Sequence, residues 1–127
     1  MARDFRKIIA WQKADDYVIE VYRLTGKSFP PEERFGLISQ IRSAAVSVAA
    51  NIAEGSGRES LQDFRRFVFQ AQGSLSEVEY YLHLANRLGY VEAADFKRLE
   101  SERADVGRTV QGFIYWLDSQ IRIGRKS

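Results

Sequence analysis

Apolar side chains recur along this chain at alternating spacings of three and four residues, in four separate runs. The first comprises Trp11, Ala14, Val18, Val21 and Thr25, of which Thr25 alone is polar. The second is Ile38, Ile41, Ala45, Val48 and Ile52. The third, Leu61, Phe64, Val68, Ala71, Leu75, Val78, Leu82 and Ala85, has no exception. The fourth reads Phe96, Leu99, Arg103, Val106, Val110, Phe113 and Leu117, broken by Arg103. Such spacing places each run on one face of an α-helix, with the period of a left-handed bundle seam. No stretch alternates by two as a half-buried strand would, and no repeat or low-complexity segment competes.

Punctuation separates the runs. Pro30 and Pro31, the two prolines of the chain, lie between the first and second, and Pro31 suits the first turn of a helix. Gly26, Gly55, Gly57 and Gly89 follow the first three runs, where left-handed backbone commonly ends a helix. Ser60 with Asp63 reads as an N-cap pair opening the third helix. The predicted helices lie near 9–25, 31–55, 60–88 and 93–122. Short connections force neighbours antiparallel, so the expected fold is all-α, an up-down-up-down four-helix bundle spanning 1–127 as one domain.

One bundle core does not consume all the apolar residues. Val46, Ala49, Ala50 and Ala53 lie off the core stripe of the second helix, and Phe69, Gly73, Ser76 and Tyr80 form another line on the third. Small residues let helices approach closely, and soluble monomers seldom expose so broad an apolar surface. These lines predict contact with other subunits; the competing reading packs them beneath the N-terminal segment or within a broad core. Gly107 and Gly112 offer further close approaches on the fourth helix.

Ile38 to Arg58 reads ISQIRSAAVSVAANIAEGSGR, and Phe64 to Leu84 reads FRRFVFQAQGSLSEVEYYLHL. In these segments the chain resembles the four-helix-bundle proteins encoded in intervening sequences of 23S ribosomal RNA genes, from near Trp11 to about Leu117. The resemblance implies a homo-oligomer, with a pentameric ring as the expected form. Through the related accessory protein of diversity-generating retroelements, it also points to nucleic acid, or a reverse transcriptase or other protein, as partner.

Charge enters the picture through topology. Net charge is only +2 over 127 residues, so a polyanion would be attracted only if cations were gathered in space. An up-down bundle brings the chain start, the turn between the second and third helices and the chain end to one pole. Arg3, Arg6 and Lys7 against Asp4 give +2. Arg58, Arg65 and Arg66 balance Glu54, Glu59 and Asp63, and Arg122, Arg125 and Lys126 add +3. That pole carries +5, leaving −3 for the remainder. Clustered Arg and Lys are what phosphate contacts require; charged termini that merely solubilise the domain give the same sum. The turn Glu54-Gly55-Ser56-Gly57-Arg58 suggests an anion seat at the start of the third helix, although plain helix caps account for the same residues.

Catalytic chemistry is sparse. The chain has no cysteine and one histidine, His83, which the pattern places outward. No metal site, cofactor or catalytic residue is expected, because no second His or Cys joins it and the Glu-x-x-His pairs of di-iron bundles are missing. Asn51 and Glu54, three apart near the end of an apolar helix, are read as structural polar residues that cap or bridge a contact. Trp11, Tyr22, Tyr115 and Trp116 are read as core and interface aromatics. Met1–Ala10 lacks the apolar core of a signal peptide and no run reaches membrane-spanning length, so a cytoplasmic location is expected. The expected function is a non-enzymatic, homo-oligomeric scaffold that binds RNA or DNA, or an enzyme acting on it, through the basic end. The alternatives are a protein–protein interaction module using the outer seam, and an enzyme acting on a phosphorylated small molecule at the Gly55–Arg58 corner.

Overall fold

The computed structural model describes residues 3–126, with side chains through Arg125. Four helices, α1 (Ile9–Ser28), α2 (Leu37–Ser56), α3 (Leu61–Arg87) and α4 (Ala93–Lys126), form an antiparallel up-down-up-down bundle. Short 3-10 turns at Phe5–Lys7 and Pro31–Glu33 precede α1 and α2. No strand occurs among the described residues. Each helix packs on its sequence neighbour, and α1 closes the ring against α4.

Every core position predicted for the second run is buried, as is the third run apart from half-buried Leu61. Ile52, Val68, Val78, Leu99, Val110 and Leu117 lose essentially all contact with solvent. The face of α1 is centred differently from the prediction. Ala10, Ala14, Tyr17, Val21 and Leu24 point inward, while Trp11 and Val18 only flank the core. Tyr17 is tolerated inside because its hydroxyl donates to the Leu99 carbonyl of α4 at 3.1 Å; burial raises its pKa above the normal tyrosine range. Thr25, the polar member of its stripe, donates to Val21 O at 2.9 Å and accepts from Arg42 Nε of α2 at 2.8 Å. Arg103, the misfit of the fourth run, reaches out of the core edge to Glu100 at 2.8 Å and to Glu79 of α3 at 3.3 Å.

Three boundaries depart from the predicted ones by more than two residues: α1 runs to Ser28 rather than 25, α4 runs to Lys126 rather than 122, and α2 starts late. The second helix starts at Leu37 rather than 31, because Pro31–Glu33 forms a separate 3-10 turn and Glu33 folds back to accept from Leu37 N–H at 3.0 Å. Tyr90 O–H, from the α3–α4 connection, holds the other carboxylate oxygen at 2.9 Å. These two hydrogen bonds, the backbone one foremost, hold the Glu33 carboxyl below the usual range. The glycine prediction holds at Gly89 alone, where φ is +77°. Gly26 and Gly55 lie inside α1 and α2, and Gly57 is right-handed. Gly55 serves another purpose: a Cβ there would lie 2.8 Å from Phe67 Cβ and 3.2 Å from the Phe64 carbonyl. It is the close-approach point of α2 and α3.

Candidate functional site

The chain start and the α2–α3 turn meet as the topology predicts. Arg3 donates from Nη1 to Arg58 O at 2.8 Å and Ser56 O at 3.3 Å, and its guanidinium lies over the Phe64 ring. It thereby satisfies carbonyls at the C-terminus of α2, a structural duty rather than a free cation. The chain end arrives at the same pole. Arg65 of α3 is ion-paired with Asp118 of α4, so α4 residues beyond about 122 lie past the first residue of α3. On its other flank α4 meets the start of α1 around Gly112 and Trp116. With 34 residues against 20 in α1, α4 is longer by roughly 20 Å at 1.5 Å per residue. Its last turns overhang the bundle, exposing Arg122, Ile123 and Arg125.

The cations of this pole divide into two groups. Arg58 pairs with Glu54 at 2.8 Å, and Arg66 pairs with Asp63 at 2.8 Å. With Arg65 and Arg3 they are engaged within the molecule, and Asp118, absent from the sequence-derived charge count, sits here too. Arg6 leans on Asp4 at 3.5 Å but stays largely exposed. Lys7, Arg122 and Arg125 are exposed, and no carboxylate partner is seen for them among the described residues. The Lys126 side chain lies outside the described residues. The Gly55–Arg58 corner is closed as an anion seat. Gly57 N–H and Arg58 N–H donate to Glu54 O and Gly55 O, and Ser60 Oγ caps Asp63 N–H at 3.0 Å.

The predicted outer seam needs one correction. Ala49 is 8% exposed and belongs to the core. Val46, Phe69 and Tyr80 are exposed large apolar residues, Ala50 and Gly73 are exposed, and Ala53 is half-buried. A Cβ at Gly73 would meet nothing within 4 Å, so packing inside this chain does not require glycine there. Asn51 donates to Ser47 O at 2.8 Å and Ser47 Oγ at 3.0 Å, and Ser47 Oγ lies 2.8 Å from Ser74 Oγ. This small polar ladder ties α2 to α3 beneath the seam. Glu54 spends its carboxylate on Arg58.

Of the four aromatics, Trp11 packs half-buried against the core, while Tyr22, Tyr115 and Trp116 are exposed, Tyr115 at 64% and Trp116 at 51%. Trp116 stacks on Phe113 at 5.7 Å between centroids and an 11° interplanar angle. It walls an apolar groove of about 480 Å³ between the start of α1 and α4, together with Lys7, Ile9, Thr109 and Gly112. A second, larger groove of about 900 Å³ lies further along the same two helices, lined by Lys13, Asp16, Glu20, Arg23, Glu102 and Asp105. Lys13 and Asp105 bridge it at 2.9 Å. No group of three or more His, Asp or Glu side chains able to hold a metal ion occurs among the described residues. His83 is exposed beside Tyr80. No helix among the described residues is long and apolar enough to cross a membrane.

Comparison with known proteins points the same way as the fold. No curated protein matches the chain. A solved structure, described as a protein of unknown function from the S23 ribosomal protein family of Bacteroides thetaiotaomicron, superposes with a TM-score of 0.78. The two share 20% identity, over 84% of this chain and 96% of that one, a likeness of fold alone. The model of the 23S rRNA-intervening sequence protein family matches residues 6–112, and the chain belongs to that family.

Proposed function

We propose that this protein is a non-enzymatic helical scaffold that associates with copies of itself and binds nucleic acid through its basic pole. The observation that carries the ligand half of this reading is the overhang of α4. There Arg122 and Arg125, with Lys7 nearby at the chain start, present cations that no carboxylate of the described residues neutralises. Phosphates are attracted by such unopposed charge, and their binding releases counterions. Elsewhere cations are paired with carboxylates, as in Lys13–Asp105 and Arg98–Glu20, while exposed Arg34, Arg87 and Lys97 also have no carboxylate partner among the described residues. The self-association half is supported by the seam of Val46, Ala50, Phe69, Gly73 and Tyr80, where an interior helical glycine has no partner within the chain.

The test is retention on RNA and DNA over a salt series, with Arg122, Arg125 and Lys126 changed together to alanine. Binding should fall steeply with salt, and the triple variant should bind more weakly with a shallower slope. Salt-insensitive binding, or none at low salt, refutes the ligand. Light scattering tests assembly: a monomeric mass at micromolar concentration refutes the scaffold. The exposed seam also favours a second reading, a module that recruits a different protein. A monomer that co-purifies with a protein and without nucleic acid would establish that one instead.

A further inference from the structure

Trp116 stands where exposed Lys7 meets the apolar groove, less than two helical turns before Arg122 on α4. We infer that the nucleic acid bound here is single-stranded, and that the α1–α4 groove seats one unpaired base against the Trp116 indole while Lys7 and the α4 overhang hold its phosphates. This rests on the proposed nucleic-acid reading and names the form of the ligand and its contact.

Three features of the groove argue for a base. Its volume of about 480 Å³ falls within the range of about 300–1,000 Å³ usual for small-ligand sites. One wall is a half-exposed indole stacked on Phe113, which also lines the groove, so its orientation is fixed before binding. At Gly112, one helical turn from Trp116, a Cβ would meet nothing within 4 Å; the missing side chain leaves the ring's neighbourhood clear.

Charge selects the same groove. No carboxylate lines it and Lys7 does. The larger α1–α4 groove carries Asp16, Glu20, Glu102 and Asp105 against Lys13, Arg23 and Arg108, and would repel a phosphate. Beyond Trp116, α4 has no α1 beside it; Arg122 and Arg125 follow Asp118 at four and seven residues, on its flank of the overhang, so a strand leaving the groove passes around the helix to reach them. Base–aromatic stacking with a cationic track is how single strands are held without sequence readout. A duplex keeps its base faces stacked internally and has none to offer.

The experiment titrates a 20-nucleotide oligo(dT) and a duplex of equal length into the full chain at low salt. It follows tryptophan emission and affinity, with circular dichroism confirming the fold of each variant. Oligo(dT) should bind more tightly than the duplex and quench emission. Trp116→Ala should weaken oligo(dT) binding about ten-fold at unchanged salt slope. Trp116→Phe should retain most affinity, and Lys7→Ala should reduce the salt slope by about one. Unchanged oligo(dT) affinity in Trp116→Ala, with a loss on changing Arg122 and Arg125, overturns the base seat and leaves the basic-pole reading intact. Equal or tighter duplex binding does the same. A drop in mass by light scattering for Trp116→Ala assigns the ring to a subunit contact and overturns the seat. Absence of binding to either oligonucleotide overturns both.

Discussion

Glu33 shows how much one side chain decides at the pole opposite the cations. Its carboxylate caps α2 through Leu37 N–H and receives the Tyr90 hydroxyl, and its pKa is depressed in consequence. A depressed carboxyl contributes stability above its unfolded pKa, near 4.3, and loses it as pH falls through the lower folded value. The urea-unfolding gap between wild type and Glu33→Gln should therefore be full at pH 6–7 and shrink on acidification below about pH 4. Gly36 keeps this cap in place, since a Cβ there would come within 2.5 Å of Glu33 Oε1. Gly36→Ala should displace the carboxylate and lower the urea midpoint at neutral pH. Gly55 is stricter. Its missing Cβ faces Phe64 and Phe67 on α3, and Gly55→Ala should lower unfolding free energy by about 1–3 kcal/mol through overpacking. The sequence places a glycine at each site but says nothing of the partner that makes it necessary, because both partners are contacts formed by the fold.

For whole elements, periodicity is a strong guide where the apolar face is narrow and a weaker one where it is broad. The second and third runs are legible position by position. The α1 face is misjudged by one residue because Tyr17 and Leu24 compete with Trp11 and Val18, and only the Leu99 carbonyl opposite Tyr17 makes the tyrosine an acceptable core residue. Ala49 is misplaced for a related reason: α2 is apolar over most of its circumference, and the pattern does not say which alanine turns inward. Gly73 gives the seam its sharpest test. In an exposed helix interior, Gly73→Ala should stabilise an isolated subunit by up to about 1 kcal/mol through helix propensity. Should the seam join subunits, the same change should raise the monomer fraction in light scattering while the melting temperature of the monomer rises.

At the scale of the whole molecule, up-down connectivity brings distant charges together, and it is also where the sequence-derived charge map falls short. Counting residues by segment gives a cationic pole. It does not reveal that Arg65 finds Asp118, 53 residues away, or that Arg3 is consumed by backbone carbonyls. What survives at that pole is a smaller set of unpaired cations, Lys7 at the chain start and Arg122 and Arg125 on the α4 overhang. Deleting residues 122–127 should then leave thermal stability nearly unchanged, since Ile121 is the last buried position among the described residues. The same deletion should sharply reduce retention on heparin at low salt.

The guanidinium of Arg3 clasping carbonyls more than 50 positions further on has a consequence for how the chain assembles. Most helix pairs here join neighbours in sequence and can zip early, whereas this clasp must wait until the second hairpin exists. It should be a late lock, formed after the rods have docked. Removing it with Arg3→Ala should hasten unfolding while barely touching the refolding rate, which stopped-flow kinetics would resolve.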